Sequence, residues 1–411
     1  MKFNLKNIFI AAALSVGMLS SRVSFASSLT PGPETIEDSY VVVFSAQSTP
    51  ELFSLSSQER FMMLENKISK LKKDYPFEIK FKYDACLQGF SAKMNKETAQ
   101  AISRDPLVES IELDRKAYAF DQTLPTGINR IDGDKSSTIA GNGSGTVSGV
   151  DIYIIDTGIQ TNHPDLNVVG GANFSDGNSY EDPNGHGTHV AGIAAAKDNS
   201  SYVVGTAPGA DLYAVRVLGS SGSGSFSQIL AGVNWVTSRK LANPTRPMVA
   251  NLSLGGYVGS PFYNSLDYGI KNSISAGIVY AIAAGNSSRN AVYYSPAHVT
   301  SALTIGAYSA STNSWASFSN YGSIVDILAP GVSVLSTYKN TSTATLSGTS
   351  MSTPHVAGAA ALYLSTHPGS TPAQVRTSLL NASTSPTPGP NPTITGVRSG
   401  TTKSSLYIGN F

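Results

Sequence analysis

The sequence predicts an α/β protein built on a doubly wound, mostly parallel sheet and preceded by a small α+β domain. Three observations carry this reading. Beyond residue 120, short β-rich runs alternate with helical stretches, the pattern of a parallel sheet covered on both faces. Before it, residues 40–113 read in the order β-α-β-β-α-β, the split βαβ or ferredoxin-like arrangement. The charge also thins sharply at that point. Of 28 Lys plus Arg and 27 Asp plus Glu in 411 residues, only 13 of each lie in residues 121–411.

In the first unit, Tyr40 to Phe44 is a strand of apolar residues. A helix follows around Ser57 to Tyr75, with Phe61, Leu64, Ile68 and Leu71 at helical spacing. Glu78 to Phe81, Gly89 to Met94 and Val108 to Leu113 read as strands, and Lys96 to Arg104 as a short helix. In the second unit the strands are Val150 to Ile155, Asp211 to Leu218, Met248 to Leu252, Val279 to Ala283 and Leu303 to Ala307. Helices near Gly187 to Ala196, Phe226 to Ser238 and Ser265 to Ala276 separate them. Ser383 to Thr395, rich in Pro, Ser and Thr, is expected as a surface loop before a last strand at Ser405 to Ile408.

The amino terminus is expected to be removed. Lys2 and Lys6 precede an apolar stretch from Ile8 to Leu19, and Ser24-Phe25-Ala26 supplies small residues for signal cleavage after Ala26. Residues 1–26 are therefore read as a secretion signal, and the product as extracellular. A net charge of +1 gives no electrostatic reason to bind nucleic acid or an anionic membrane. No apolar run reaches the roughly 20 residues that span a bilayer. The single cysteine, Cys86, excludes an intramolecular disulfide, and no Cys/His cluster suggests zinc.

Three motifs carry chemistry. Asp156-Thr157-Gly158 ends an apolar strand, where open α/β sheets place their sites. His186-Gly187-Thr188-His189 opens a helix of small residues. Its histidines stand at i and i+3 with no glutamate between, unlike the zinc helix with ligands at i and i+4. Gly348-Thr349-Ser350-Met351-Ser352 leads into a helix, so Ser350 lies where the dipole favours negative charge on its hydroxyl. Ser352, two residues on, breaks the G-x-S-x-G elbow of α/β-hydrolases. Each motif alone has an ordinary explanation, as a strand-ending turn, a packed histidine or a helix cap. Together, in the order Asp, His, Ser, they match neither the trypsin-like nor the α/β-hydrolase arrangement.

With these motifs, and with Ala283-Ala284-Gly285-Asn286 and Ser295-Pro296-Ala297, residues 121–411 resemble the subtilisin-like serine peptidases, nearer their proteinase K branch. The resemblance implies a triad of Asp156, His186 and Ser350, with Asn286 as an oxyanion donor. It implies that a peptide adds as a strand between Gly222-Ser223-Gly224 and Ser253-Leu254-Gly255. Ser253 to Gly255 and Ala283 to Gly285 would wall a pocket whose small, uncharged lining suits apolar or aromatic P1 side chains.

Gly89 to Ala92 and Val108 to Asp114 are similar to the inhibitor-type propeptide of that family, which would make 27–120 a propeptide and 121–411 the catalytic domain. The resemblance implies that Ala117 to Phe120 lie in the cleft with Phe120 in the P1 pocket, and self-cleavage is expected between Phe120 and Asp121. The resemblance further implies a structural calcium site of Gln122, Asp165 and Asn199 with the carbonyls of Lys197, Ser201 and Val203, an oxygen set suited to that ion. A second site known in proteinase K relatives is expected to be lost, because its acidic position falls near Ser309.

The expected product is thus a secreted, autoprocessed endopeptidase of broad specificity. Its partners are protein and peptide substrates and its own propeptide, with no nucleic acid, no membrane span and a monomeric state. A catalytically dead binding protein on the same scaffold is the competing reading, and the intact motifs argue against it. A metallopeptidase is disfavoured by the histidine spacing.

Overall fold

The computed structural model describes residues 29, 35–45, 49–119, 127–199, 202–384 and 393–411. The proposed signal segment lies outside them.

The first unit contains β1 (Thr35–Phe44), α1 (Thr49–Ser54), α2 (Ser57–Asp74), β2 (Glu78–Tyr83), β3 (Gly89–Lys93), α3 (Lys96–Ile102) and β4 (Val108–Ala119). Its strands lie in the order β4-β1-β3-β2, all antiparallel, as the split βαβ reading requires. Leu64, Ile68 and Leu71 of α2 seal one face of this sheet, packing with Val42, Phe90 and Ile111. A capping box of Ser56 and Glu59 starts that helix by satisfying backbone donors that have no partner in the first turn.

The second unit is built on β5 (Asp151–Asp156), β6 (Val168–Asn173), α4 (His186–Ala195), β7 (Asp211–Arg216), β8 (Ser223–Ser225), α5 (Phe226–Ala242), β9 (Met248–Leu252), β10 (Leu254–Tyr257), α6 (Ser265–Ser275) and β11 (Ile278–Ala283). It continues through β12 (Tyr294–Ser295), β13 (Leu303–Ser309), β14 (Ser314–Trp315), β15 (Ile327–Val332), β16 (Val334–Tyr338), β17 (Ser342–Leu346), α7 (Thr349–Thr366) and α8 (Pro372–Thr384). The main sheet runs β14-β13-β11-β9-β5-β7-β6 with β15 also on β13, and every pairing except β13–β14 is parallel.

Residues of β5, β9 and β11 are buried on both faces, which is why each reads as an unbroken apolar run. Ile152 and Ile154 face a core shared with α4 and α7, while Tyr153 and Ile155 face one shared with α5 and α6. The chain leaves β5 toward β6 on one side and resumes at β9 on the other. A crevice therefore opens at the carboxyl ends of β5 and β9, where doubly wound sheets bind ligands.

The two units share structure. Val41, Tyr83, Cys86 and Leu87 of the first belong to the same core as α5 and α6. Tyr83 Oη donates to the Ser227 carbonyl at 3.0 Å, and the Asn234 carboxamide oxygen accepts from the N–H groups of Ala85 and Cys86. Two acidic side chains of β4 reach helix amino termini: Glu112 accepts from Ser265 N–H at 2.7 Å and Asp114 from Ser227 N–H at 2.8 Å. Negative charge at those ends meets unpaired N–H groups and the positive pole of each helix.

One expected element is corrected. Ser405 to Ile408 is not a strand; only Ser405 pairs, in a bridge to Leu328. Leu406 and Ile408 are buried, so the apolar alternation there reflects packing, and Ile408 N–H bonds to Ile131 rather than extending the sheet. Helix α8 and the β16–β17 hairpin are additions to the expected elements.

Candidate active site

Asp156 closes β5, His186 opens α4, and Ser350 is the second residue of α7. All three are buried, and α4 packs on α7. His186 Nδ1 lies 2.8 Å from Asp156 Oδ1, which also accepts the Thr157 N–H at 2.7 Å. A carboxylate on Nδ1 holds the imidazole in the tautomer whose Nε2 can accept a proton. The approach requires a glycine at 187. A Cβ there would sit 2.1 Å from the Gly158 carbonyl oxygen, so only glycine lets α4 close onto the strand end.

Asp182, which sequence reasoning passed over, fastens this corner. It accepts from Thr157 Oγ1, the N–H groups of Asn184 and Gly185, and both the N–H and hydroxyl of Thr188, all within 3.0 Å. Thr157 Oγ1 in turn accepts the Gly187 N–H. One carboxylate thus ties the residue after Asp156 to the turns around His186. Its only signal in the sequence is an Asp opening Asp182-Pro183-Asn184-Gly185, ordinary turn chemistry.

Ser350 Oγ donates to the Ser253 carbonyl at 3.1 Å, and Ser253 Oγ donates back to the Ser350 carbonyl at 2.8 Å. Asn251 Nδ2 completes the chain by donating to Ser253 Oγ. The nucleophile candidate is therefore stitched to the edge expected to wall the pocket. Asn286 is oriented from the other side: its Oδ1 accepts the N–H and the hydroxyl of Thr349, at 2.8 and 3.0 Å. That leaves Nδ2, with no protein partner among the described residues, as the end of the amide free to donate. A donor prepared in this way suits a developing oxyanion.

The second histidine has another task. His189 Nε2 lies 3.1 and 3.0 Å from the carbonyls of Val334 and Ala344, bracing the β16–β17 hairpin. Burial, reinforced by His186, drives its pKa down to about 3, so the ring stays neutral and its Nε2–H donates to these carbonyls.

The two expected substrate edges flank a strand of the chain itself. The end of β4 runs antiparallel to β8, pairing Ala117 with Gly224 and Tyr118 with Ser223. On its other side it runs antiparallel to β10, pairing Tyr118 with Gly255 and Ala119 with Leu254. Gly222, just before β8, adopts φ 75° and donates its N–H to Gly219. Ala283 ends β11, with Ala284 and Gly285 directly after it. The expected cleavage residues, Phe120 and Asp121, lie outside the described residues.

Of the expected calcium ligands, Gln122 and Ser201 also lie outside them. Asp165 is fully buried and accepts from Asn199 Nδ2 at 2.8 Å and from Val203 N–H at 3.2 Å. Lys197 donates its N–H to the Asp165 carbonyl and its ammonium to the Pro164 carbonyl. Both oxygens of Asp165 thus face N–H donors, the Asn199 amide turns its nitrogen toward the carboxylate, and the Lys197 charge lies close by; a buried carboxylate beside an amide is the ligand type that suits calcium. Burial pushes the Asp165 carboxyl upward, which a cation there would oppose.

Comparison with known proteins places this arrangement. The Subtilase family profile matches residues 147–403, and the Peptidase inhibitor I9 profile matches residues 39–119. The chain belongs to the subtilase family of serine peptidases. It is 38% identical over 387 residues to an alkaline protease of Shouchella clausii, covering 94% of this chain and 95% of that one. It is 39% identical to subtilisin E of Bacillus subtilis (strain 168), covering 92% and 94%, and to an extracellular serine proteinase of Thermus sp. (strain Rt41A), covering 85% of each. Among solved structures, a cold adapted subtilisin-like serine proteinase matches at 39% identity and a TM-score of 0.55, covering 63% of this chain and 89% of that one. The protein is thus a subtilisin-type serine protease carrying an inhibitor-type propeptide domain. No helix among the described residues is long and apolar enough to cross a membrane.

Proposed function

We propose that this chain is made as a secreted precursor, loses residues 1–26, cleaves itself between Phe120 and Asp121, and acts as an endopeptidase through Asp156, His186 and Ser350. The observation that carries this reading is the seating of β4 as the middle strand between β8 and β10, heading toward Ser350. A peptide held there has its backbone ordered on both sides before reaction, which supplies much of the orientation that catalysis needs.

The chemistry follows from the groups present. The Ser350 hydroxyl proton passes to His186 Nε2 as Oγ bonds to the peptide carbonyl carbon. The π pair moves onto the carbonyl oxygen, which accepts from Asn286 Nδ2 and the Ser350 N–H. Collapse breaks the C–N bond, His186 returns the proton to the leaving amine, and an acyl-enzyme remains. Water, deprotonated by His186, repeats the sequence and releases the acid. Asp156 holds the ring and stabilises its cation throughout.

Ser253 to Gly255 and Ala283 to Gly285 wall the P1 pocket, and their small residues support a preference for apolar or aromatic side chains. Asp165 and Asn199, with Gln122 and the carbonyls of Lys197, Ser201 and Val203, would hold a calcium ion that stiffens loop 197–203. No catalytic step involves it. The mature enzyme, residues 121–411, is a monomer and meets its propeptide, residues 27–120, as a product-like inhibitor. The test is the secreted protein from wild type and from Ser350→Ala. Wild type should begin at Asp121 and cut a denatured protein after apolar residues. The variant should remain uncut and inactive; a processed, active variant would overturn the proposal.

A further inference from the structure

The Asn286 amide is only as well aimed as the backbone that carries it. Residues 284–289 leave the end of β11 as a loop, and its conformation is set by hydrogen bonds from the segments packed around it. Thr349 fixes the side nearest Ser350, with its hydroxyl accepting the Gly285 N–H at 3.1 Å while donating to Asn286 Oδ1. On the opposite side Asn320 makes more of the bonds than any other residue, beside those of Ser288 to the Phe318 and Ser317 carbonyls and of the Tyr321 N–H to the Arg289 carbonyl.

Asn320 is fully buried and 34 positions away in sequence. Its Nδ2 donates to the Ala284 carbonyl at 2.8 Å, and its backbone N–H donates to the Gly285 carbonyl at 2.8 Å. Its Oδ1 accepts the N–H groups of Ser287 and Arg289, at 3.0 and 2.9 Å. These contacts bracket position 286 on both sides and leave the Asn286 side chain itself untouched. The carboxamide suits this task because its oxygen accepts two N–H groups while its nitrogen, a separate atom, donates to the carbonyl. Gly285 is shaped to receive it. That residue has φ 101°, and a Cβ there would lie 2.4 Å from Asn320 Nδ2.

We propose that Asn320 is a positioning residue for peptide hydrolysis, locking the 284–289 loop so that Asn286 Nδ2 meets the oxyanion. The inference rests on the reading of Asn286 given above. Asn320 touches neither substrate nor the reacting atoms. Its loss acts on the transition state, where the donor is used, more than on substrate binding, which the β8 and β10 edges supply.

The experiment is a double-mutant cycle on the full, processed enzyme with a chromogenic peptide amide. Asn320→Ala should lower kcat about 10- to 100-fold, less than outright loss of a donor, with KM little changed. In an Asn286→Ala background the same substitution should cause almost no further loss, because the group it aims is gone. A peptide boronate, which forms a tetrahedral adduct on the serine, should lose affinity in step with kcat/KM. Asn320→Ser adds no charge and keeps a hydroxyl that can still donate and accept within this loop, so it should lose less. It also serves if the alanine variant does not fold. Losses that multiply in the double mutant, or that appear in KM alone, would overturn the proposal. If Asn286→Ala itself leaves kcat intact, the oxyanion reading has failed instead, and the two failures are distinct.

Discussion

Glu112 gives the propeptide interface a pH dependence of predictable sign. Its carboxylate accepts the Ser265 N–H at the start of α6, and burial at this contact pushes its pKa from an ordinary 4.5 up to about 7. The Ser265 hydrogen bonds and Arg115 of the same strand pull downward, while Asp267 of α6, itself bonded to His298, pushes upward with burial. In the free propeptide the group returns to its ordinary value, so association takes up a proton.

The affinity is therefore greatest below about 4.5, falls as pH rises through the interval, and levels above about 7. At about 1.4 kcal/mol per unit, the interval corresponds to a loss on the order of a hundredfold. Asp114, raised by burial in the same interface, adds in the same direction. The assay is inhibition of the mature enzyme by added propeptide from pH 5 to 9. Glu112→Gln mimics the protonated carboxyl, so it should bind only about fourfold more tightly than wild type at pH 5, far more tightly at pH 8, and show a flatter profile. A wild-type profile without slope, or a Gln profile parallel to it, would refute the reasoning.

Other outcomes follow from the same geometry. Asn286→Ala should lower kcat about 10²- to 10³-fold with KM nearly unchanged, the loss that removal of the oxyanion asparagine causes in a subtilisin. Phe120→Asp should slow processing, read as accumulation of precursor on a gel, because a carboxylate would enter an apolar pocket unpaired. Chelation of calcium should lower the melting temperature of the mature enzyme, and Asp165→Asn should remove most of that response, as seen by calorimetry with and without added calcium.

Much of the fold was legible because burial on both faces leaves a plain mark. β5, β9 and β11 read as apolar runs, and α5 and α6 as helices between them. The three residues proposed as the triad stood out because each lies in a motif whose small neighbours serve close approach, as Gly187 does at Asp156. The missed features act at a distance or lack contrast. The strand β4 was expected to stop at Leu113, with 117–120 placed in the cleft by resemblance alone; it runs unbroken to Ala119, since its last residues pair with β8 and β10 rather than with its own domain.

Helix α8 has a weak apolar stripe, with Val375 and Leu379 as its fully buried residues. Asn320 works through backbone N–H and carbonyl groups of a distant loop, which leave no trace in residue identity, and Asp182, bonded to neighbouring N–H groups and the Thr157 and Thr188 hydroxyls, reads as an ordinary turn residue. The acidic pair of β4 was equally silent, because a carboxylate facing a helix terminus of another domain reads as a solvated charge.

The most direct test of the central claim is to find which hydroxyl becomes the nucleophile. The mature enzyme would be treated with an organophosphorus serine reagent and digested, and the modified residue located by mass spectrometry. One adduct per molecule on Ser350, abolished by His186→Ala, is the expected result. An adduct on Ser352 or Ser253, or labelling of Ser350 that proceeds unchanged without His186, would contradict the assignment.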